Sequence, residues 1–194
     1  MNDKLSRLAK LKEVILVCQN CPLGKTRKHI VFGEGPENPR FLSIAEAPGA
    51  SEDDTGRPFM GRAGKLYRQV LQAIGLCPEK DIFMCNILKC RPPGNRIPES
   101  SEIVECIKYL KKQIEIIQPR FILILGRTAV KGLFPDLDGF SMDKLRKLSK
   151  ETPPLQYENI PVLITYHPSA LLYDSSKKLS FKEDFIHLQT LLKY

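Results

Sequence analysis

Phe41 to Gly64, FLSIAEAPGASEDDTGRPFMGRAG, is the stretch whose reading decides the fold. It opens with Phe41-Leu42-Ser43-Ile44-Ala45, an apolar run of the length of a buried strand. It then breaks into a loop carrying Glu46, Pro48, Gly49, Glu52, Asp53, Asp54, Gly56 and Pro58. The loop closes at Phe59-Met60-Gly61, where a helix is predicted to begin. Acids, glycines and an aromatic just past a strand's carboxyl end are what a site in an open α/β sheet requires. An acidic surface turn would have the same composition, so the rest of the chain must decide.

Working outward, residues 3 to 17 place Leu5, Leu8, Leu11 and Ile15 at helical spacing, and this helix runs into Cys18-Gln19-Asn20-Cys21-Pro22-Leu23-Gly24. Residues 25 to 40 are basic and then rich in Gly and Pro, an exposed loop. The helix from Arg62 carries apolar residues at 63, 66, 67, 70, 71 and 74 and stops at Gly75. A second strand is predicted over Ile82–Leu88, ended by Pro92, Pro93 and Gly94. Pro98, Glu99 and Glu102 mark the start of a long helix with Ile103, Ile107, Leu110, Ile114 and Ile117 on one face. Strand three is Phe121–Leu125, with a short helix from Thr128 to Phe134. Residues 135 to 160 show no strong period beyond turn signals and a hairpin. Pro161–Thr165 is strand four, and a last helix covers about 178 to 192.

Apolar strands alternating with helices predict an α/β fold: a three-layer α/β/α sandwich with a central four-stranded parallel sheet. The loops after strands one, two and four would open on one edge. The 194 residues suffice for one domain, residues 1–194, with a substantial core. The longest apolar runs are of strand length, and the polar start of the chain resembles no signal peptide. A cytoplasmic protein without membrane contact is expected. A net charge of +8 points to an anionic partner, nucleic acid first. In that compartment six cysteines argue for metal ligation or buried thiols rather than disulfides.

Cys18 and Cys21 are spaced C-x2-C, while Cys90 and Cys106 flank the second proline loop and the first turns of its helix. Four soft ligands suit zinc or an iron–sulfur cluster, and spacing does not separate them. Cys77 and Cys85 read as spectators. Asn86, at the second strand's end, has an amide that can accept from uracil N3–H and donate to O4. Cytosine presents the reverse pattern, and buried unpaired groups are costly. The alternative is an Asn bonded to backbone. His167, in Tyr-His-Pro-Ser-Ala-Leu-Leu, can donate to a base oxygen or an anionic leaving group, or be a turn residue. Leu171 is either a wedge filling the space left by an extruded base or core.

With those motifs in order, the chain resembles the family-4 uracil-DNA glycosylases, the iron–sulfur branch of their superfamily. Four motifs carry the resemblance: Cys18-Gln-Asn-Cys-Pro-Leu, AEAPGASEDDTGRPFMGRAG, NILKCRPPGNRIP with Cys106, and TYHPSALL. It implies hydrolysis of the N-glycosidic bond of deoxyuridine in DNA; the expected partner is uracil-containing DNA, single- or double-stranded, and the expected state a monomer. It also implies a structural [4Fe–4S] cluster on Cys18, Cys21, Cys90 and Cys106. A flipped uracil would stack on Phe59, be read by Asn86 and the backbone near Ala47, and meet His167 at O2. Glu52 resembles the family's loop acid, excluding the thymine methyl or positioning water, and Glu46 would support loop or water. Lys89, Arg91 and Arg96, with Ser169 and Leu171, are the expected DNA contacts. Ala45 stands where the family's loop usually opens with Gly. Ala47 stands where the best-known branch has a water-activating Asp.

Three rivals differ in sequence terms. A covalent DNA trap of the same superfamily would carry an inserted basic loop ending in His, whereas CRPPGNRIPESSE runs straight into the helix. A metal-stabilised nucleic-acid module without catalysis has no reason to bring Asn86, Phe59 and His167 to one edge. An enzyme of the same fold could also take xanthine or hypoxanthine.

Overall fold

The computed structural model describes residues 3–193. In chain order, α1 (Asp3–Leu16) precedes β1 (Phe41–Ala45), α2 (Ala50–Thr55), α3 (Arg62–Ala73) and α4 (Pro78–Asp81). Then come β2 (Ile82–Asn86), α5 (Ser100–Ile117), β3 (Ile122–Leu125), α6 (Arg127–Leu133) and α7 (Met142–Leu148). The chain finishes with β4 (Gln156–Tyr157), β5 (Ile160–Thr165), α8 (Ala170–Tyr173) and α9 (Lys177–Leu191). The sheet order is β2-β1-β3-β5-β4. β1 pairs in parallel with β2 and β3, and β3 in parallel with β5. Only β4 is antiparallel, through a two-residue hairpin onto β5.

The four expected strands are therefore the four parallel ones, and the sheet has five strands because of that hairpin. Its physical reason is the tight turn at Glu158 and Asn159, both at positive φ. The α7 helix lies in the stretch without a period. Its inward face carries Leu145 beside Arg146, whose guanidinium binds Asp184 of α9 at 2.7 and 3.0 Å. A helix that buries an ion pair instead of an apolar stripe leaves no 3.6-residue hydrophobic signal.

Alternation along the strands sorts the core into two layers. Leu42, Ile44, Phe83, Cys85, Ile122, Ile124, Val162 and Ile164 face one side with α5 and α6. Phe41, Ile82, Met84, Leu123 and Leu163 face the other with Tyr67 and Leu71 of α3 and Phe181, Phe185 and Leu188 of α9. Thus the crossover from β1 to β2 runs over one face, and the return from β2 to β3 runs over the other. Such a reversal opens a crevice at the strands' carboxyl ends. Among the described residues no helix is long and apolar enough to cross a membrane.

Candidate active site and cysteine pocket

The crevice holds a cavity of about 470 Å³ lined by residues from three strand ends: Ala45 after β1, Asn86 of β2 and His167 after β5. The loop after β1 supplies Ala47, Gly49, Glu52 and Phe59 to the same walls.

Asn86 is 3% exposed, and its side-chain amide has no hydrogen-bond partner among the described residues. Its backbone is held twice, by the register Ala45↔Asn86 and by Lys89 Nζ donating to its carbonyl at 2.8 Å. A fixed backbone and an unengaged amide on a cavity wall are what recognition of a polar ligand edge requires.

Phe59 takes φ of 58°, a left-handed conformation that costs a non-glycine residue about 1 kcal/mol or more. Three contacts hold it. Its ring packs on Tyr67 at 5.1 Å between centroids. Arg68 Nε donates to its carbonyl at 3.2 Å while the same guanidinium pairs with Glu34 and Glu79. Gly64 lies so close that a Cβ there would sit 2.3 Å from the Phe59 carbonyl carbon and oxygen. The final glycine of FMGRAG is thus a close-approach residue.

Glu52 is buried and accepts three backbone N–H bonds: Met60 at 2.7 Å, Gly61 at 2.8 Å and Gly49 at 3.0 Å. It ties the two ends of the loop together, so most of its acceptor capacity is spent on backbone rather than on a water or a proton. Glu52→Gln sets an NH2 donor against one of those N–H groups. A loss of about 1–3 kcal/mol is expected, read as a melting temperature lower by roughly 2–4 °C per kcal/mol. An unchanged melting temperature would show that Glu52 does not hold the loop.

His167 Nδ1 accepts from the Ser169 N–H at 3.2 Å and lies 2.7 Å from Ser169 Oγ. A backbone N–H can only donate, so the neutral ring carries its proton on Nε2. Burial pushes the His167 pKa down to about 4, against an opposing pull from Glu52. The His167 backbone and Cβ pass close to Gly126, where a Cβ would lie 3.1 Å from His167 Cβ. That glycine takes φ 88° just past β3.

Several expected site residues fall elsewhere. Lys89 is not a phosphate contact: it is 1% exposed, its ammonium engaged with Asn86 O and with Gln113 Oε1 at 2.6 Å. Arg96 has its fork on the buried Glu102 carboxylate at 2.9 and 2.6 Å, which any phosphate would have to displace. Leu171 is core, packed in the layer with Phe181 and Phe185, so the wedge reading does not hold. Its neighbours Leu172 and Tyr173, 39% and 89% exposed, line the cavity instead. Glu46 is half-buried and absent from the cavity lining. Arg91 donates to Asn95 Oδ1 at 2.7 Å, and Asn95 and Arg62, each inside one of the quoted motifs, line the cavity.

A second, smaller pocket is lined by Cys18, Cys21, Cys90 and Cys106 together. Donors face three of the sulfurs: Tyr109 OH to Cys18 at 3.2 Å, Lys89 N to Cys106 at 3.3 Å and Arg27 Nη1 to Cys90 at 3.6 Å. Burial pushes the Cys90 thiol up to about 11 and raises Cys106 as well. A bound metal reverses that order by ligating thiolates. No group of three or more His, Cys, Asp or Glu among the described residues is set to hold a single ion. Cys77 and Cys85 lie outside the pocket, and all six cysteines are free thiols.

Comparison with known proteins adds an independent observation. The profile of the Uracil DNA glycosylase superfamily matches residues 32–189. A type-4 uracil-DNA glycosylase of Sulfurisphaera tokodaii is 37% identical over 189 residues, 96% of this chain and 86% of the relative. That of Pyrobaculum aerophilum is 41% identical over 179 residues, covering 91% and 90%. That of Thermotoga maritima is 41% identical over 169 residues, covering 87% and 85%. With the profile spanning both the strand-end crevice and its loops, the chain belongs to the uracil DNA glycosylase superfamily.

Proposed function

We propose that this chain, as one glycosylase domain, hydrolyses the N-glycosidic bond of deoxyuridine in DNA, releasing uracil and leaving an abasic site in base excision repair. It would act as a cytoplasmic monomer on single- or double-stranded DNA. The observation that carries the reading is Asn86: an amide on a cavity wall, on a residue 3% exposed, with no hydrogen-bond partner among the described residues and with donors and an acceptor matching uracil's N3–H and O4. Phe59 offers the base a face, held in place by Arg68 and Gly64.

Bond cleavage leaves positive charge on the sugar and negative charge on uracil, chiefly at O2 and N1. His167 presents a neutral Nε2–H donor to that developing anion. A neutral donor is chemically matched, because an imidazolium would cost solvation in this buried site. Glu52, whose charge His167 feels, supplies a negative field to the oxocarbenium-like sugar while remaining bonded to the loop. Ala47 carries no carboxylate to activate water, so water is held by backbone and by the remaining acceptor of Glu52.

The thiol pocket fits a polynuclear cluster in donor chemistry: four sulfurs around one space, with N–H and O–H donors facing them. Cys18, Cys21, Cys90 and Cys106 would hold a [4Fe–4S] group, which when bound cross-links α1, the loop after β2 and α5.

The deciding assay is purified protein on a single-uracil oligonucleotide followed by alkali cleavage. Strand scission at uracil and not at cytosine or thymine is expected; an intact strand would sink the activity. The pH profile tests His167. Excision should stay level as pH falls through about 6.5, the ordinary histidine range, and drop only toward about 4. Over that window the unfolded chain binds the proton more tightly, so His167 also lowers stability as pH falls. Melting temperatures at each pH separate the two effects. A rate that halves near pH 6.5 in folded protein would mean a solvated imidazole.

A further inference from the structure

A fully buried lysine needs a reason. A leucine or methionine at position 89 would fill the same space without removing an amino group from water. Lys89 forms no ion pair among the described residues; its Nζ bonds only the neutral acceptors Asn86 O, at 2.8 Å, and Gln113 Oε1, at 2.6 Å. Gln113 is itself anchored, its amide nitrogen donating to Phe32 O at 2.9 Å. The other end of the residue does something different. Its backbone N–H donates to Cys106 Sγ at 3.3 Å, and the residue lines the cysteine pocket beside Cys90. One residue thus touches a sulfur of one pocket and the carbonyl of the residue whose amide faces the other.

We infer that Lys89 is a positioning residue that couples the cysteine site to Asn86. Resting on the cluster reading above, the inference is that a metal group fixing Cys106 also fixes the Lys89 backbone N–H bonded to it, and through that residue's side chain the Asn86 carbonyl. The amino group in turn holds the Asn86 carbonyl, and with it the register of the amide toward the base. Loosening either end should loosen both.

The test uses Lys89→Met, which keeps length and apolar bulk. Two quantities are read on anaerobically purified protein of matched iron content: the rate of iron loss to a chelator, and single-turnover excision of uracil. Both should change, iron loss faster and excision slower, each by about ten- to a hundredfold as for outer-shell partners of metal ligands. Affinity for an abasic-site oligonucleotide should be unaltered, with the parent's salt dependence. If either rate stays at the parent value, the coupling is absent. Weaker binding with a shallower salt slope would return Lys89 to a phosphate contact and overturn the inference. Should Lys89→Met fail to fold, Gln113→Leu removes one acceptor of the amino group, and the same two readings apply with smaller amplitude. Parent protein without iron would overturn the cluster reading itself, a result distinguishable from an iron-bearing parent with an indifferent Lys89→Met.

Discussion

Asn86→Asp should slow single-turnover excision of uracil by roughly thirty- to a thousandfold, the loss of about 2–4 kcal/mol of transition-state stabilisation. The substitution keeps shape and removes the NH2 donor, so uracil O4 meets a carboxylate oxygen. Nothing else on the wall replaces that donor at the β2 end, because Lys89 is turned inward onto the Asn86 carbonyl. Burial also matters: at 3% exposure the side chain cannot offset the mismatch with bulk water. If the carboxyl is protonated instead, its O–H and C=O match the edge of cytosine, and trace excision of cytosine becomes the sharper signature. Asn86→Ala loses both contacts and should lack the cytosine activity. The measurement is single-turnover excision from uracil- and cytosine-containing oligonucleotides, with melting temperature as the folding control. Two folded variants that excise uracil at the parent rate would place base recognition elsewhere.

Removing a thiol from the second pocket should have the other large effect. Protein purified without oxygen is expected to be brown, with about four irons per chain. Cys106→Ala or Cys90→Ala should lose colour and soluble yield together, since binding energy in a structural metal site is folding energy. The geometry explains why the penalty spreads. Cys18 follows α1 and is approached by Tyr109 of α5, while Cys106 is bonded by the backbone of the loop after β2. Three segments far apart in sequence therefore lose one junction. Cys85→Ala and Cys77→Ala should keep the colour, because neither side chain lines the pocket. Stoichiometric zinc with no iron would overturn the cluster assignment.

Much of this protein was legible in its sequence because the deciding signals are local. The five residues Phe41–Ala45 read as a strand and form one with those bounds. The 3.6-residue periods of α3 and α5 located both crossover helices. Alternation of strand and helix then implied a parallel sheet, and parallel connections leave few topologies. The C-x2-C pair with Cys90 and Cys106, and Asn86 and His167 at strand ends, were visible as residue types at fixed offsets. All four cysteines do meet at one pocket, and both polar residues do line one cavity.

Tertiary structure decided what depends on which side chains share a space. Lysine is ordinarily solvated, so nothing local marks Lys89 as buried; the acceptors that hold it come from β2 and from Gln113, 24 residues away. Leu171 and Leu172 are indistinguishable in composition, and only the packing of α8 against α9 turns one into core and the other into rim. Glu52 reads as an acid in a loop until Met60 and Gly61 fold back onto it. The α7 helix, built around Arg146 and Asp184, has no pattern to read until α9 brings the carboxylate. Periodicity and spacing report the order of contacts along the chain, whereas burial, pairing and the state of a titratable group are set by neighbours distant in it.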